Sequence, residues 1–157
     1  MDQELEYRYF AQPFAPEIID QVDALCTVLF GPHDIDLAWR LGSMPDAGIW
    51  AAFAEGRLVG FKAGYAMTQK KFCSWLGGVL PEHRRRGVAS TLMERQHQGL
   101  ARSGYFTVET ATNQENLAMA GVNLRHGLSI CGLRTEPHRV QILFSKALGA
   151  DQPPAAR

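Results

Sequence analysis

The residue types best suited to chemistry lie in one short segment, residues 76–89, where an apolar run meets a basic turn. The turn reads Arg84, Arg85, Arg86, Gly87, and a stretch with helical periodicity follows it. A helix start carries unpaired backbone N–H groups and a partial positive charge, so it binds anions well. Gly87 would let the backbone approach such a ligand with no Cβ in the way. We therefore predict a cradle for a diphosphate group at this turn.

The same arginines admit a plainer interpretation, a solvated helix start that binds nothing. Cations are slightly unfavourable at the positive end of a helix dipole. Placing three of them there without an anionic partner would be poor local design. The anion site is the interpretation that the sequence favours.

The elements around this turn follow from hydrophobic periodicity and from glycine and proline positions. Glu55-Gly56 separates two apolar runs and predicts a hairpin. The predicted strands cover residues 5–10, 48–54, 57–67, 71–80, 105–112, 128–133 and 139–146, and the predicted helices cover residues 17–30, 34–41, 81–103 and 114–126. Asp34 could cap the second helix. The chain is expected to form one α/β domain over residues 1–148, with a flexible C-terminal tail over residues 149–157.

Composition and charge argue against several classes of function. Sixteen basic and sixteen acidic side chains cancel, so a general affinity for nucleic acid or for an anionic membrane is not expected. The acidic start and the lack of a long apolar run indicate a cytoplasmic protein. Three separated cysteines favour buried thiols over disulfides or a zinc site. Glu94 and His97 share a helix face at a metal-ligand spacing, but no second such pair exists, so no metal site is expected.

Three motifs carry a resemblance to a known family. Residues 84–89 fit a pyrophosphate signature of Arg or Gln, two residues, Gly, one residue, then Gly or Ala. Residues 116–128 resemble a variant of a later helix that usually ends in Gly-Phe, and residues 74–79 are similar to bacterial members. On these residues the chain resembles the GNAT superfamily of acyl-CoA-dependent N-acyltransferases, as a bacterial-type single-domain member. The resemblance covers roughly residues 5–146 and is strongest over residues 71–132.

The resemblance implies a fold and a coenzyme site. The fold is a mixed, mostly antiparallel sheet of about seven strands flanked by about four helices, in the order β-α-α-β-β-β-α-β-α-β-β. Coenzyme A or acetyl-CoA would lie between the strand that ends at Val79 and the strand that begins near Tyr105. Amides from Arg85 to Ala89 would surround the diphosphate, and arginine side chains would add charge-assisted contacts. The implied coenzyme contacts are Val79, Leu80, Arg84, Arg85, Arg86, Gly87, Val88, Ala89, Asn116 and Asn123.

Two asparagines near the predicted fourth helix have alternative roles. Asn113 is expected to cap this helix. Asn116 would either face the coenzyme cleft, as the resemblance implies, or serve as a cap itself.

The implied reaction is attack by a neutral amine on an acetyl thioester, which expels the coenzyme A thiolate. The Val79 N–H is the expected oxyanion donor, because a splayed strand presents it free and oriented. Asn123 stands where many members have a tyrosine that acts as general acid, and it would hydrogen-bond the sulfur or simply pack. Thiols have pKa values of about 8.5 and leave readily as anions, so the reaction could proceed without the tyrosine. Glu109, a carboxylate within a strand, would accept the proton of the amine or form an ion pair with a neighbouring arginine.

The acceptor pocket implied by the resemblance borders the link between the first two helices. An aromatic wall and an acidic group there would suit a small cationic or aromatic amine, as a small molecule or a peptide. Aromatic residues in strands usually belong to the core, and Asp34 could equally be a helix cap. A homodimer is the expected assembly. The candidate acceptor residues are Phe30, His33, Asp34, Tyr65 and Trp75.

Three functions remain open at the level of sequence. The first is N-acetyl transfer from acetyl-CoA. The second is a coenzyme A-binding sensor or interaction module that has lost turnover, which Asn123 supports. The third, dinucleotide binding, is disfavoured because a hairpin run precedes the motif and no Gly-x-Gly-x-x-Gly pattern is present.

Overall fold

The computed structural model describes residues 3–149. These residues form strands and helices in the order expected from the sequence. The strands are β1 (Leu5–Ala11), β2 (Gly48–Ala54), β3 (Arg57–Ala66), β4 (Lys71–Val79), β5 (Thr107–Asn113), β6 (Ser129–Glu136) and β7 (Arg139–Ala147), and the helices are α1 (Pro16–Phe30), α2 (Leu37–Ser43), α3 (Val88–Arg102) and α4 (Leu117–Arg125). The predicted flexible tail, residues 149–157, lies outside the described residues except for Gly149.

The strands form one sheet in the order β1-β2-β3-β4-β5-β7-β6. Neighbouring strands are antiparallel except β4 and β5, which run parallel. Parallel strands need a crossover connection, and α3 supplies it. The mixed, mostly antiparallel seven-stranded sheet with four helices that the resemblance implied is therefore confirmed.

Helices cover the sheet from both sides. Gly60 on β3 faces α3, because a Cβ at this position would lie 3.2 Å from Val88 Cγ1. Gly78 on β4 faces α1, because a Cβ there would strike Leu29. Successive side chains of a strand point to opposite faces, so β3 sends every second residue toward α3. The largest fully buried side chains are Leu41, Ile49, Phe61, Phe72 and Phe144.

The second helix begins later than the sequence suggested. Its cap is Asp36, whose Oδ1 accepts the N–H of Trp39 at 2.9 Å. Asp34, the expected cap, precedes the helix and is exposed. Two aspartates so close together satisfy the same sequence rule, and only the backbone path decides which carboxylate reaches the free N–H groups.

Two further helix starts differ from the prediction. Pro81–His83 forms a separate turn of 3₁₀-helix, so α3 begins at Val88 rather than at Pro81. Asn116, and not Asn113, caps α4, and its Oδ1 accepts the N–H of Met119 at 3.1 Å. The expected cap at Asn113 is wrong because β5 extends through this residue and pairs it with β7.

Candidate active site

β4 and β5 pair only at their first residues. Their register runs from Lys71 opposite Thr107 to Ser74 opposite Thr110, whereas β4 continues to Val79. Where the ladder ends, Thr110 Oγ1 donates to the carbonyl of Ser74 at 2.8 Å. Within residues 3–149 the two strands do not pair beyond this point, and an opening remains between them.

The N–H groups of β4 at this opening point away from β3. Leu80 N donates to Val59 O at 2.8 Å, so these opposed residues form a hydrogen-bonded pair. Opposed residues of antiparallel strands alternate between bonded and non-bonded pairs, and Val79 opposite Gly60 is therefore non-bonded. The N–H of Val79 is directed into the opening, and so is that of Gly77. An oxyanion donor at Val79 would need this orientation.

The turn before α3 holds its backbone in the left-handed region at two residues. The φ angle is 62° at Arg85 and 76° at Gly87, which is the N-cap of α3. No atom of the described residues lies within 4 Å of the place where a Cβ on Gly87 would stand. The first N–H groups of the helix, from Val88 onward, have no acceptor within it. Open space beside unpaired donors fits a diphosphate group.

The arginines of this turn are exposed, and two of them also bond within the chain. Arg84 Nε donates to the carbonyl of Val79 at 3.0 Å. Arg86 Nη1 lies 3.4 Å from Nδ1 of His83. Positive charge therefore lies at the mouth of the opening, and Arg84 holds the end of β4.

Two of the expected coenzyme contacts point into the core. The side chains of Leu80 and Val88 are each 2% exposed. The N–H of Leu80 is bonded to β3 as well. A ligand at this junction would therefore meet these residues through main-chain atoms only.

The sequence and the fold agree on a family. The Acetyltransferase (GNAT) family matches residues 17–128 of the chain. The chain belongs to the GNAT acetyltransferase family. It is accordingly an acyltransferase.

Solved structures support the same fold. Ard1 from Thermoplasma volcanium is similar with a TM-score of 0.77 and 16% identity, over 92% of this chain and 97% of that chain. An aminoglycoside 6'-N-acetyltransferase complexed with coenzyme A has a TM-score of 0.78 and 16% identity, over 95% and 99%. The ribosomal-protein-S18-alanine N-acetyltransferase from Escherichia coli has a TM-score of 0.77 and 12% identity, over 94% and 99%. At such identities the likeness shows the fold alone. No curated protein sequence matches the chain significantly.

In this GNAT member the side chain of Asn123 is buried between α4 and β5. It has no exposed surface, and its Nδ2 donates to Thr112 Oγ1 at 3.0 Å. Its Oδ1 has no hydrogen-bond partner within residues 3–149. Asn116, the other coenzyme contact expected on this helix, is the N-cap of α4. A role for Asn123 at the sulfur stays a prediction.

Glu109 lies on the sheet face that carries α2. It is in register with Cys73, whose thiol hydrogen-bonds Tyr65. Its Oε1 lies 3.1 Å from Lys71 Nζ, so the ion pair forms with a lysine rather than with an arginine. The side chain of Glu109 is 29% exposed, and the carboxylate can still receive a proton from outside the sheet.

Two of the expected acceptor residues come together beneath α2. The rings of Tyr65 and Trp75 lie 6.2 Å apart. Arg40 of α2 completes the group, since its guanidinium lies 5.0 Å from the Trp75 ring and its Nη1 donates to Tyr65 Oη at 3.3 Å. Nothing in the local sequence around Arg40 predicted this contact, because it depends on how α2 packs on the sheet.

The other acceptor candidates lie elsewhere. His33 and Asp34 line a depression of about 530 Å³ along α1 and α2, and His33 Nε2 is 3.4 Å from Asp23 Oδ1. Phe30 is 49% exposed at the end of α1 and does not line this depression. The five predicted acceptor residues therefore do not form one pocket.

Sequence reasoning missed a buried polar cluster between the sheet and α3. Lys62 on β3 is only 9% exposed, and burial lowers its pKa to about 8. Ser74 Oγ and both polar atoms of the Gln96 amide are buried without hydrogen-bond partners. A charged residue inside the apolar run of β3 is the same signal that singled out Glu109, and it could have found Lys62 as well.

No described helix is both long enough and apolar enough to cross a membrane. Residues 3–149 also contain no group of three or more His, Cys, Asp or Glu side chains that could hold a metal ion.

Proposed function

We propose that this GNAT member moves an acetyl group from acetyl-CoA to a primary amine by direct attack in a ternary complex. The observation that carries the proposal is the junction of β4 and α3, where main-chain N–H groups of an unpaired strand edge lie just before a helix N-terminus. The strand N–H groups would bind the carbonyl oxygen of an acetyl-CoA thioester, and the helix N-terminus would bind its diphosphate. The fold likeness to an acetyltransferase with coenzyme A bound supports this choice of donor.

Different residues of the chain would bind different parts of the coenzyme. Amides from Arg85 to Ala89 would bind the diphosphate, and Gly87 keeps the space in front of them open. The exposed arginines would add charge-assisted hydrogen bonds to the diphosphate. Arg84 would share or release the Val79 carbonyl when a pantetheine amide binds along β4, since both donors compete for one acceptor.

Bound acetyl-CoA supplies an activated acetyl group. The Val79 N–H would donate to the carbonyl oxygen of the thioester and stabilise the negative charge that develops there. Glu109 would take the proton of the attacking amine, directly or through water, because it lies on the face of Tyr65 and Trp75 and is partly exposed. Lys71 would hold the carboxylate in place meanwhile.

We further infer that the acceptor amine carries a carboxylate, as an amino acid or peptide does. Burial raises the pKa of the Cys73 thiol, and the hydrogen bond with Tyr65 and the positive charges of Arg134 and Arg40 act against this rise. Arg40 also contacts Tyr65 and Trp75 directly, so positive charge lies on this face of the sheet. The negative charge of Glu109 offsets part of this positive charge, but Glu109 is already paired with Lys71. This balance favours an acidic group on the substrate and disfavours a polycation such as an aminoglycoside. The small cationic or aromatic amine expected from the sequence is the alternative, and it stays a prediction.

Release of free thiol from acetyl-CoA over a panel of amines tests the proposal. The panel holds amino acids and short peptides, polyamines and an aminoglycoside, each against a no-amine blank. We expect turnover with carboxylate-bearing amines. Glu109→Gln should lower kcat by about 100-fold with little change in coenzyme A affinity, whereas Glu17→Gln, at an exposed position of α1, serves as the matched control.

A second candidate is a coenzyme A-binding sensor or interaction module without turnover. The observation in its favour is Asn123, which has no acidic proton and is fully buried. Binding of coenzyme A together with no thiol release above the blank for any amine would favour the sensor and exclude the acetyltransferase.

A further inference from the structure

Lys62 is a buried cation on the coenzyme side of the sheet. Gly60, two residues before it on β3, faces Val88 at the start of α3. Because side chains alternate along a strand, Lys62 points to the same face. The residue is only 9% exposed, and within residues 3–149 its side-chain amine makes no hydrogen bond or ion pair.

Its side chain lies over Gly77 of β4, on the side of β3 toward β5. Lys62 lies directly opposite Gly77, and a Cβ on Gly77 would be 3.3 Å from Lys62 Cγ. The stem of the lysine therefore runs over a residue that has no side chain. Its four-carbon length exceeds the roughly 4.8 Å between neighbouring strands, so the amine is long enough to reach the opening beyond β4. The N–H groups of Gly77 and Val79 border the same opening.

The groups that face this amine are bases or neutral polar groups. His97 on α3 has its pKa lowered by burial and then by Lys146, Lys62 and His126, which places each of these three groups near His97. Ser74 and Gln96 add buried polar atoms without partners to the layer between the sheet and α3. Ordered water on these atoms would satisfy them and would give the amine a route for proton exchange.

The proposed reaction needs a proton at the sulfur, and the family position for a proton donor holds Asn123. Its amide has no acidic proton, and its side chain is fully buried. Burial lowers the pKa of Lys62 to about 8, close to the value of about 8.5 for a thiol. An acid whose pKa matches that of the leaving group is well suited to general acid catalysis.

Resting on the proposed function, we propose that the Lys62 ammonium gives a proton to the coenzyme A sulfur as the carbon–sulfur bond breaks. The bond electrons stay on the sulfur, the thiolate becomes a thiol, and Lys62 becomes a neutral amine. The amine nitrogen of the acceptor loses one proton when the new amide forms. Glu109 takes this proton and releases it to water, and a proton from water returns Lys62 to its charged form, so that no further reactant is required.

Three variants test the proton transfer by steady-state kinetics. Lys62→Met should lower kcat by about 100-fold while the KM for acetyl-CoA changes by less than about threefold. In the wild type kcat should fall as the pH rises through the pKa of Lys62, and the Met variant should lack this alkaline limb. Lys62→Arg keeps the charge but holds its proton too tightly, so it should not restore kcat. Lys70→Met, in the turn between β3 and β4, is the matched control.

A measurement without turnover tests the same contact. Coenzyme A bound to the protein is titrated, and its thiolate is followed by ultraviolet absorbance. A nearby ammonium stabilises the thiolate, so the thiol pKa in the wild-type complex should lie below that of free coenzyme A. In the Lys62→Met complex the shift should disappear. A thermal unfolding midpoint at least as high as that of the wild type shows that this variant folds.

The outcomes separate the two proposals. No binding of coenzyme A to the wild type by calorimetry would overturn the proposed function and with it the role of Lys62. Binding and turnover with full kcat in Lys62→Met or Lys62→Arg would overturn the proton transfer alone. A thiol pKa in the Lys62→Met complex equal to that in the wild-type complex would also overturn the proton transfer.

Discussion

His97 shows how one buried side chain ties stability to pH. Burial is the main cause that lowers its pKa from 6.5 to about 3, and its Nδ1 lies 3.4 Å from Lys146 Nζ. Between these two values the unfolded chain holds a proton that the folded chain does not. The folded state therefore loses stability as the pH falls through this window, and the loss stops below about pH 3.

The first prediction concerns this window. Between pH 6.5 and pH 4 the free energy of unfolding should fall by about 3 kcal/mol through His97. His97→Gln keeps an acceptor for Lys146 but does not titrate, so urea unfolding should show a smaller fall. His138→Gln, in the exposed turn between β6 and β7, is the control. Equal pH dependence in wild type and His97→Gln would refute the assignment.

At the scale of elements, the sequence predicts the diphosphate cradle but not the parts that depend on register. Residues 84–89 carry their signal locally, because a glycine N-cap and a helix start are short-range features. The crossing of Lys62 over Gly77 depends on which residues of β3 and β4 face each other, and strand periodicity leaves that register open. Arg40 reaches Trp75 only because α2 packs on the sheet.

The second prediction tests the junction of β4 and α3. Gly87→Asp adds bulk and negative charge where the diphosphate would bind, so the Kd for coenzyme A should rise by about 100-fold. Gly104→Asp is a matched control at the other end of α3, since both glycines have positive φ and open space around a Cβ. Isothermal titration calorimetry measures both. Equal affinity in the two variants would count against the cradle.

At the scale of the whole molecule, the sheet ends in an unusually exposed strand. β6 is one of the two edge strands, and Ile130 and Leu133 on it are 57% and 67% exposed. Apolar side chains on an unpaired edge favour pairing with another chain. The homodimer expected from the sequence stays a prediction, and β6 is the surface that would form it.

The third prediction follows from this edge. The wild type should sediment as a dimer at micromolar concentration, and Leu133→Glu should shift it to monomer by placing a charge in the interface. Val28→Glu changes an equally exposed apolar residue on α1 and should leave the dimer intact. A monomeric wild type, or a dimer that survives Leu133→Glu, would show that β6 is not the interface.

The most direct test of the whole account is a crystal structure with an unreactive thioether analogue of acetyl-CoA. We expect its diphosphate on the amides of Arg85 to Ala89, its acetyl oxygen within hydrogen-bond distance of the Val79 N–H, and its sulfur next to Lys62 Nζ. A ligand bound elsewhere, with the opening between β4 and β5 unfilled, would contradict the account.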